Sequence, residues 1–205
     1  MRNKGLIIID GPDATGKTTL AAKLCQICPG SQYVHLTYDE DLNMYAYQLG
    51  ILKQAIIDSN TRIVVIDRLW ISENIYAGIY RGGSSKEFNE HIMDLLAQQA
   101  KALYIIAIPN SVKSGMKNHK KAQKLRDEMY GDIAQVCKRY RDFWFGQTNG
   151  LSLWGDTLTD RYIRSGGFQS RSDAIGYSIE DHGGTVEAFA FKALRILETI
   201  RGEYG

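Results

Sequence analysis

Residues 6–18 read Leu6-Ile7-Ile8-Ile9-Asp10-Gly11-Pro12-Asp13-Ala14-Thr15-Gly16-Lys17-Thr18. A short run of bulky apolar residues with no polar alternation fits a buried parallel strand. The residues after it match the pattern G-x-x-x-x-G-K-[ST], and Thr18–Ile27 continues as a helical segment. Strand, glycine-bounded loop and helix in that order form a phosphate-binding unit. Glycine lets the backbone N–H groups wrap an anion, and the helix N-terminus adds a favourable dipole. Gly11, Pro12, Asp13, Ala14, Thr15, Gly16, Lys17, Thr18 and Thr19 are therefore the candidate nucleotide-binding residues. Lys17 is expected to reach the β- and γ-phosphates of ATP, and Thr18 to ligate Mg²⁺.

Outward from this unit, further apolar runs at Tyr33–Leu36, Ile63–Ile66 and Leu103–Ile108 predict buried parallel strands, with a fifth candidate at Ile175–Ile179. Helical patterns separate them. Leu42, Tyr45, Leu49, Leu52 and Ile56 recur at spacings of three and four. Ser84 with Glu87 has the form of a capping box, opening a helix that turns Phe88, Ile92, Leu95 and Leu96 inward. A last amphipathic helix covers Thr185–Ile200. Alternating strands and helices predict an α/β doubly wound parallel sheet of about five strands with helices on both faces. Pro12, Pro29 and Pro109 each fall between elements.

The chain has 205 residues, 44% hydrophobic and 23% charged, with a formal charge of +2. That composition excludes disordered, collagen-like and disulfide-scaffold classes. It also speaks against general coating of nucleic acid, which needs a strong basic excess. The balance is uneven, however. Residues 1–112 hold ten basic and eleven acidic side chains, residues 113–141 nine and three, and residues 142–205 six and nine. A basic, largely helical segment is thus hidden in a nearly neutral chain. Lys120, Lys121 and Lys124 lie within it.

Three cysteines, Cys25, Cys28 and Cys137, are too few for a disulfide framework, and the first two read as helix-packing thiols. Leu6–Ile9 is too short for a signal segment and no run spans a bilayer, so a soluble cytoplasmic protein without membrane contact is expected.

At the carboxyl edge of the third strand stand Asp67 and Arg68. Open α/β sheets bind ligands at that edge. A carboxylate there can hold Mg²⁺ or take the proton from an attacking hydroxyl, and a neighbouring guanidinium can clamp phosphate. His35 approaches the same edge from the second strand.

The stretches "IIIDGPDATGKTTL", "VVIDRLWISENIYAGIYRGG", "KLRDEMYGDIAQVCKRY" and "GGTVEAFAFKALRIL" resemble the thymidylate kinase family of P-loop kinases. The resemblance implies a single P-loop kinase domain over 1–205, with a basic helical lid at about 111–141 and an insert at about 142–173. It implies Asp67 as catalytic carboxylate, Arg68 as phosphate clamp and Arg126 as the lid cation. Ser72, Tyr76 and Arg81 would face the acceptor, with His35 beside them, and ATP and Mg²⁺ would be the cofactors. A homodimer is compatible with it. Ser72 also reads as a cap of the helix beginning "SENIY", and Tyr76 as core.

Two features depart from kinases of free thymidylate. The segment "YVHLTYDEDLNMY" carries Asp39-Glu40-Asp41 where those kinases place a phosphate-gripping Arg, and the insert is longer. The insert holds Trp144, Trp154, Arg161, Arg164 and Arg171, residue types that stack on bases and contact backbone phosphate. These features resemble a bacteriophage branch of the family that phosphorylates 5-hydroxymethyluracil within DNA. The resemblance implies that the acceptor is DNA containing a modified pyrimidine or a free deoxynucleotide. A P-loop ATPase without an acceptor is the reading from another class. A guanine-reading N-K-x-D motif is missing, and "NHKK" at 118–121 does not match it.

Overall fold

Strand β1 (Gly5–Asp10) is buried along its whole length and lies at the centre of a five-stranded parallel sheet. The structure is a computed structural model, and it describes residues 4–123, 133–146, 161, 166–178 and 185–202. Its other strands are β2 (Gln32–His35), β3 (Ile63–Asp67), β4 (Leu103–Ala107) and β5 (Ala174–Tyr177), in the order β2-β3-β1-β4-β5.

Alternation along the strands feeds two cores. Leu6, Ile8, Val64, Ile66, Tyr104 and Ile106 face one layer, formed by helices α2 (Met44–Asp58), α3 (Trp70–Tyr80), α4 (Glu90–Gln99) and α6 (Ile133–Phe145). Ile7, Ile9, Ile63, Val65, Leu103 and Ile105 face the other, covered by α1 (Lys17–Ile27) and α7 (Val186–Arg201). Helices on both faces of a parallel sheet make the fold doubly wound, as the alternation predicts. Helix α5 (Val112–Gln123) packs on α6. Cys28 and Cys137 are buried, and Cys25 is partly so. Among the described residues no helix is long and apolar enough to cross a membrane.

Four local expectations differ from the structure. β2 is an edge strand with alternate exposure rather than a buried one. In α2 the buried face is Met44, Gln48, Leu52 and Ala55, while Leu42 lies before the helix and is exposed. The Ser84–Glu87 capping box does not form, because tertiary partners take both side chains. Ser84 Oγ donates to Asn74 Oδ1 at 3.0 Å and Glu87 Oε2 accepts from Asn43 Nδ2 at 3.0 Å. Asn89 caps α4 instead, accepting from the Ile92 N–H. That start turns Met93, Asp94 and Ala97 inward and leaves Ile92 and Leu95 in solvent.

The insert supplies core rather than a base-stacking surface where it is described. Trp144 is buried and lies where a side chain on Gly176 of β5 would otherwise stand. Phe168 stacks on Phe143 at 4.8 Å. Arg171 pairs with Asp94 at 2.7 Å and with Asp173, and lies over the rings of Phe168 and Tyr104. A doubly paired guanidinium, only about a tenth exposed, is not free to meet phosphate. Arg161 is exposed. Lys124, Arg126, Trp154 and Arg164 lie outside the described residues.

Candidate active site

Parallel registry brings three strand ends together. Asp67 pairs with Ile9 on one side and with His35 on the other, so β1, β2 and β3 end side by side. From the end of β1 the chain turns through Gly11–Gly16 into α1. Gly11 sits against the backbone of Ala107, where a Cβ would stand 2.9 Å from the Ala107 Cβ and closer still to its carbonyl oxygen. Gly16 adopts φ 82°, a left-handed value that glycine accepts without strain.

Lys17 opens α1 and is buried under its own loop, its Nζ donating to the Pro12 carbonyl at 2.6 Å. Thr15 Oγ1 donates to the same oxygen at 2.8 Å. Burial, reinforced by the charge of Arg68, brings the Lys17 ammonium down to about 8. Thr18 and Thr19 are exposed on the first turn.

Asp67 is fully buried. Its Oδ2 accepts from Tyr33 Oη at 2.8 Å, lies 3.1 Å from His35 Nδ1, and is 3.4 Å from Thr18 Oγ1. Its Oδ1 has no hydrogen-bond partner among the described residues. Burial alone would raise this carboxyl, but the His35 hydrogen bond, the Lys17 charge and the Tyr33 hydroxyl together hold it below its ordinary value. The reciprocal effect on Tyr33, from burial and then from Asp67, lifts that phenol to about 12.

Arg68 follows with φ 76°, a conformation that costs a non-glycine residue energy. Its N–H donates to the Ile9 carbonyl at 2.8 Å, and the turn sends the guanidinium onto the Asp13 carboxylate of the phosphate loop. Tyr76 is buried and lies beside this pair, its ring 5.2 Å from Arg68 Cζ and its hydroxyl donating to Asp13 Oδ2 at 3.3 Å. Burial pushes Asp13 up, but Arg68, then Lys17, and in smaller part the buried His119 of α5, bring its net value below 3.8.

Ser72 does not face an open acceptor space, nor does it cap the helix, which begins at Trp70. It is buried, and its Oγ donates to Asp10 Oδ1 at 2.5 Å. Asp10 also receives the N–H groups of Gly11, Leu69 and Ser72 and the hydroxyl of Tyr140. Desolvation outweighs these bonds and raises the Asp10 carboxyl. Arg81 is likewise engaged, with Glu73 Oε2 at 2.9 Å and with the Tyr38 ring 3.9 Å from its Cζ.

The fold gathers Asp67, Arg68, His35, Lys17 and Thr18, all expected site residues from sequence, at one edge. Asp10, Tyr33, Tyr140 and His119 are not among those expectations. Asp10 had a signal, as a carboxylate ending a buried strand directly before the loop. Tyr33 and Tyr140 had none, since their partners are set by strand registry and helix packing.

No protein-family model matches the chain, and no curated protein matches it in sequence. Solved structures do match in shape. The YorR protein of Bacillus subtilis, crystallised with phosphorylated GDP, aligns with a TM-score of 0.60 at 19% identity, over 98% of this chain and 99% of that one. Thymidylate kinase from Candida albicans aligns at 0.53 and 13% identity, over 98% and 93%. Deoxyadenosine kinase from M. mycoides, with bound dATP, aligns at 0.52 and 15% identity, over 93% and 99%. Together with the sheet order, these likenesses show the P-loop kinase fold.

Proposed function

We propose that this protein is an ATP-dependent kinase whose acceptor is a hydroxyl of a thymidine- or uracil-type deoxynucleotide, specifically the hydroxymethyl group of 5-hydroxymethyluracil in DNA. The observation that carries the kinase reading is the Asp67 carboxylate. It is buried at the ligand-binding edge beside Thr18, and one of its oxygens has no partner among the described residues. A buried charged acceptor left unpaired is costly unless a ligand completes it.

Mg²⁺ suits the oxygens of Thr18 and Asp67, since this ion takes few protein oxygens and completes its shell with phosphate and water. When bound, it offsets charge on the β- and γ-phosphates. The loop amides and Lys17, released from the Pro12 carbonyl, hold those phosphates. Arg68 exchanges Asp13 for the oxygens of the transferring group. The acceptor hydroxyl oxygen forms the new bond to the γ-phosphorus as the bond to the bridging β–γ oxygen breaks. Its proton passes to Asp67 Oδ1, and ADP leaves.

Two observations support a hydroxyl acceptor over a phosphate. Asp39, Glu40 and Asp41 are exposed after β2, giving a negative lip. Arg81, the nearby cation, is already held by Glu73. A primary alcohol must also lose a proton, which gives Asp67 a task that a phosphate acceptor would not.

The test supplies γ-labelled ATP with dTMP, with free 5-hydroxymethyl-dUMP, or with DNA carrying or lacking 5-hydroxymethyluracil. Label is expected on the modified DNA. Label on free nucleotide alone would overturn the DNA acceptor, and steady ATP turnover with no labelled acceptor would overturn the kinase assignment.

A further inference from the structure

Helix α5 has two unlike sides. Gly115 and His119 are buried, with Val112 and Met116 partly so. Where Gly115 would carry a Cβ, Cys137 Sγ of α6 stands 2.6 Å away and Pro109 Cγ 3.1 Å away, so the helices approach closely. At 100° per residue, Lys113, Lys117, Lys120 and Lys121 all lie at least a quarter turn around the helix from His119, and all four are exposed.

Those four lysines, with Met116, line one open groove of about 580 Å³. The helix contains no acidic residue to offset them. None of the four makes an ion pair with any described residue. Arg68, Arg81, Lys138 and Arg171, by contrast, are held by carboxylates: Arg68 by Asp13, Arg81 by Glu73, Lys138 by Asp142, and Arg171 by Asp94 and Asp173. Lys113 and Lys117, and Lys117 and Lys121, stand four residues apart, the spacing at which like charges repel on a helix. An anion relieves that repulsion.

The span of the four lysines along the helix suits an extended anion. From Lys113 to Lys121 the helix rises about 12 Å, the length of roughly three to four phosphates along one DNA strand. The donor triphosphate has its own cation, Lys17, at the phosphate loop.

We propose that the lysine face of α5 binds the phosphate backbone of the DNA strand that presents the acceptor base. The proposal rests on the DNA-acceptor reading above and adds to it the surface that holds the polymer.

The test measures binding of a fluorescein-labelled, unmodified single-stranded DNA of about 20 nucleotides to the full chain by anisotropy, between about 50 and 200 mM salt. A variant with Lys113, Lys117, Lys120 and Lys121 all changed to Gln is compared with one carrying Arg at all four. Thermal melts check that both fold. The Gln variant is expected to lose at least about tenfold in affinity at low salt, and the slope of log affinity against log salt to flatten by about 2–3 units. The Arg variant should keep both, and the KM for ATP should stay within about twofold, because monovalent phosphate contacts add to affinity by charge alone.

An unchanged slope in the Gln variant overturns the proposal, as does a raised KM for ATP with DNA affinity intact. If modified DNA is phosphorylated but the slope does not move, only the surface is wrong. If the slope moves but label goes to free nucleotide, only the acceptor is wrong.

Discussion

The Tyr140 hydroxyl donates to Asp10 Oδ1 at 2.6 Å across a separation of 130 residues. This contact ties α6 to the strand end from which the phosphate loop departs. The same carboxylate holds the first N–H of the loop and two N–H groups at the start of α3. Tyr140→Phe removes one charge-assisted bond and is expected to cost about 1–3 kcal/mol. Asp10→Ala strands several buried donors and should cost about 3–5 kcal/mol. Urea unfolding midpoints measure both, and equal midpoints for wild type and Tyr140→Phe would deny the contact a structural role.

Lys17 trades stability for its position. Its folded value of about 8 lies below the ordinary 10.5, through burial first and the Arg68 charge second. The unfolded chain therefore binds this proton more tightly. The resulting penalty grows as pH falls below 10.5 and is complete below about 8. Lys17→Met should stabilise the nucleotide-free protein by roughly 1–3 kcal/mol at pH 7, less as pH approaches 10, while cutting transfer at least about 100-fold. Calorimetry at two pH values and a labelled-ATP assay measure the two halves.

Gly11 has no room for a side chain. A Cβ would press on Ala107 in β4, and φ 149° disfavours other residues. Gly11→Ala should destabilise by at least about 2 kcal/mol and weaken ATP binding. Binding titration with a fluorescent ATP analogue separates this from a change in chemistry alone.

Asp13 stabilises the folded state through Arg68. Its value lies below 3.8 despite burial, because the charges of Arg68 and Lys17 outweigh desolvation. That contribution is present above 3.8 and fades as pH falls through the lower folded value. Asp13→Asn should cost about 1–2 kcal/mol near neutrality, and its stability should fall less steeply than that of wild type on acidification below pH 4. Parallel acid-denaturation curves would count against this assignment.

Arg171 belongs to the scaffold. Arg171→Ala leaves Asp94 and Asp173 without their guanidinium and should cost about 3–5 kcal/mol. DNA affinity of the folded fraction should not change. A variant of full stability with weakened DNA binding would return Arg171 to the nucleic-acid surface.

The readable parts of the site were those carried by local grammar. Gly11 to Thr18 follow a spacing that a loop around phosphate requires, and Asp67-Arg68 follow an apolar run that could only be a buried strand. Residues whose meaning depends on a distant partner are not legible in the sequence. Ser72 reads as an acceptor contact or a helix cap, yet a buried carboxylate from another strand claims its hydroxyl. Trp144 and Arg171 had the chemistry of nucleic-acid contacts, and packing against Gly176, Phe168 and Asp94 placed them inside.

By itself, then, the sequence determined the alternating α/β layout, the phosphate loop and the concentration of positive charge beyond Pro109. Backbone preference, hydrophobic periodicity and charge counting are local properties, readable without knowing what lies across the fold. The tertiary structure alone decided that Tyr33 and His35 converge on Asp67, that Arg68 rests on Asp13, and that four lysines of α5 share one face without a described counter-ion. Parallel strands bring together residues far apart in sequence, and which polar groups meet there depends on registry and desolvation, which no single segment encodes.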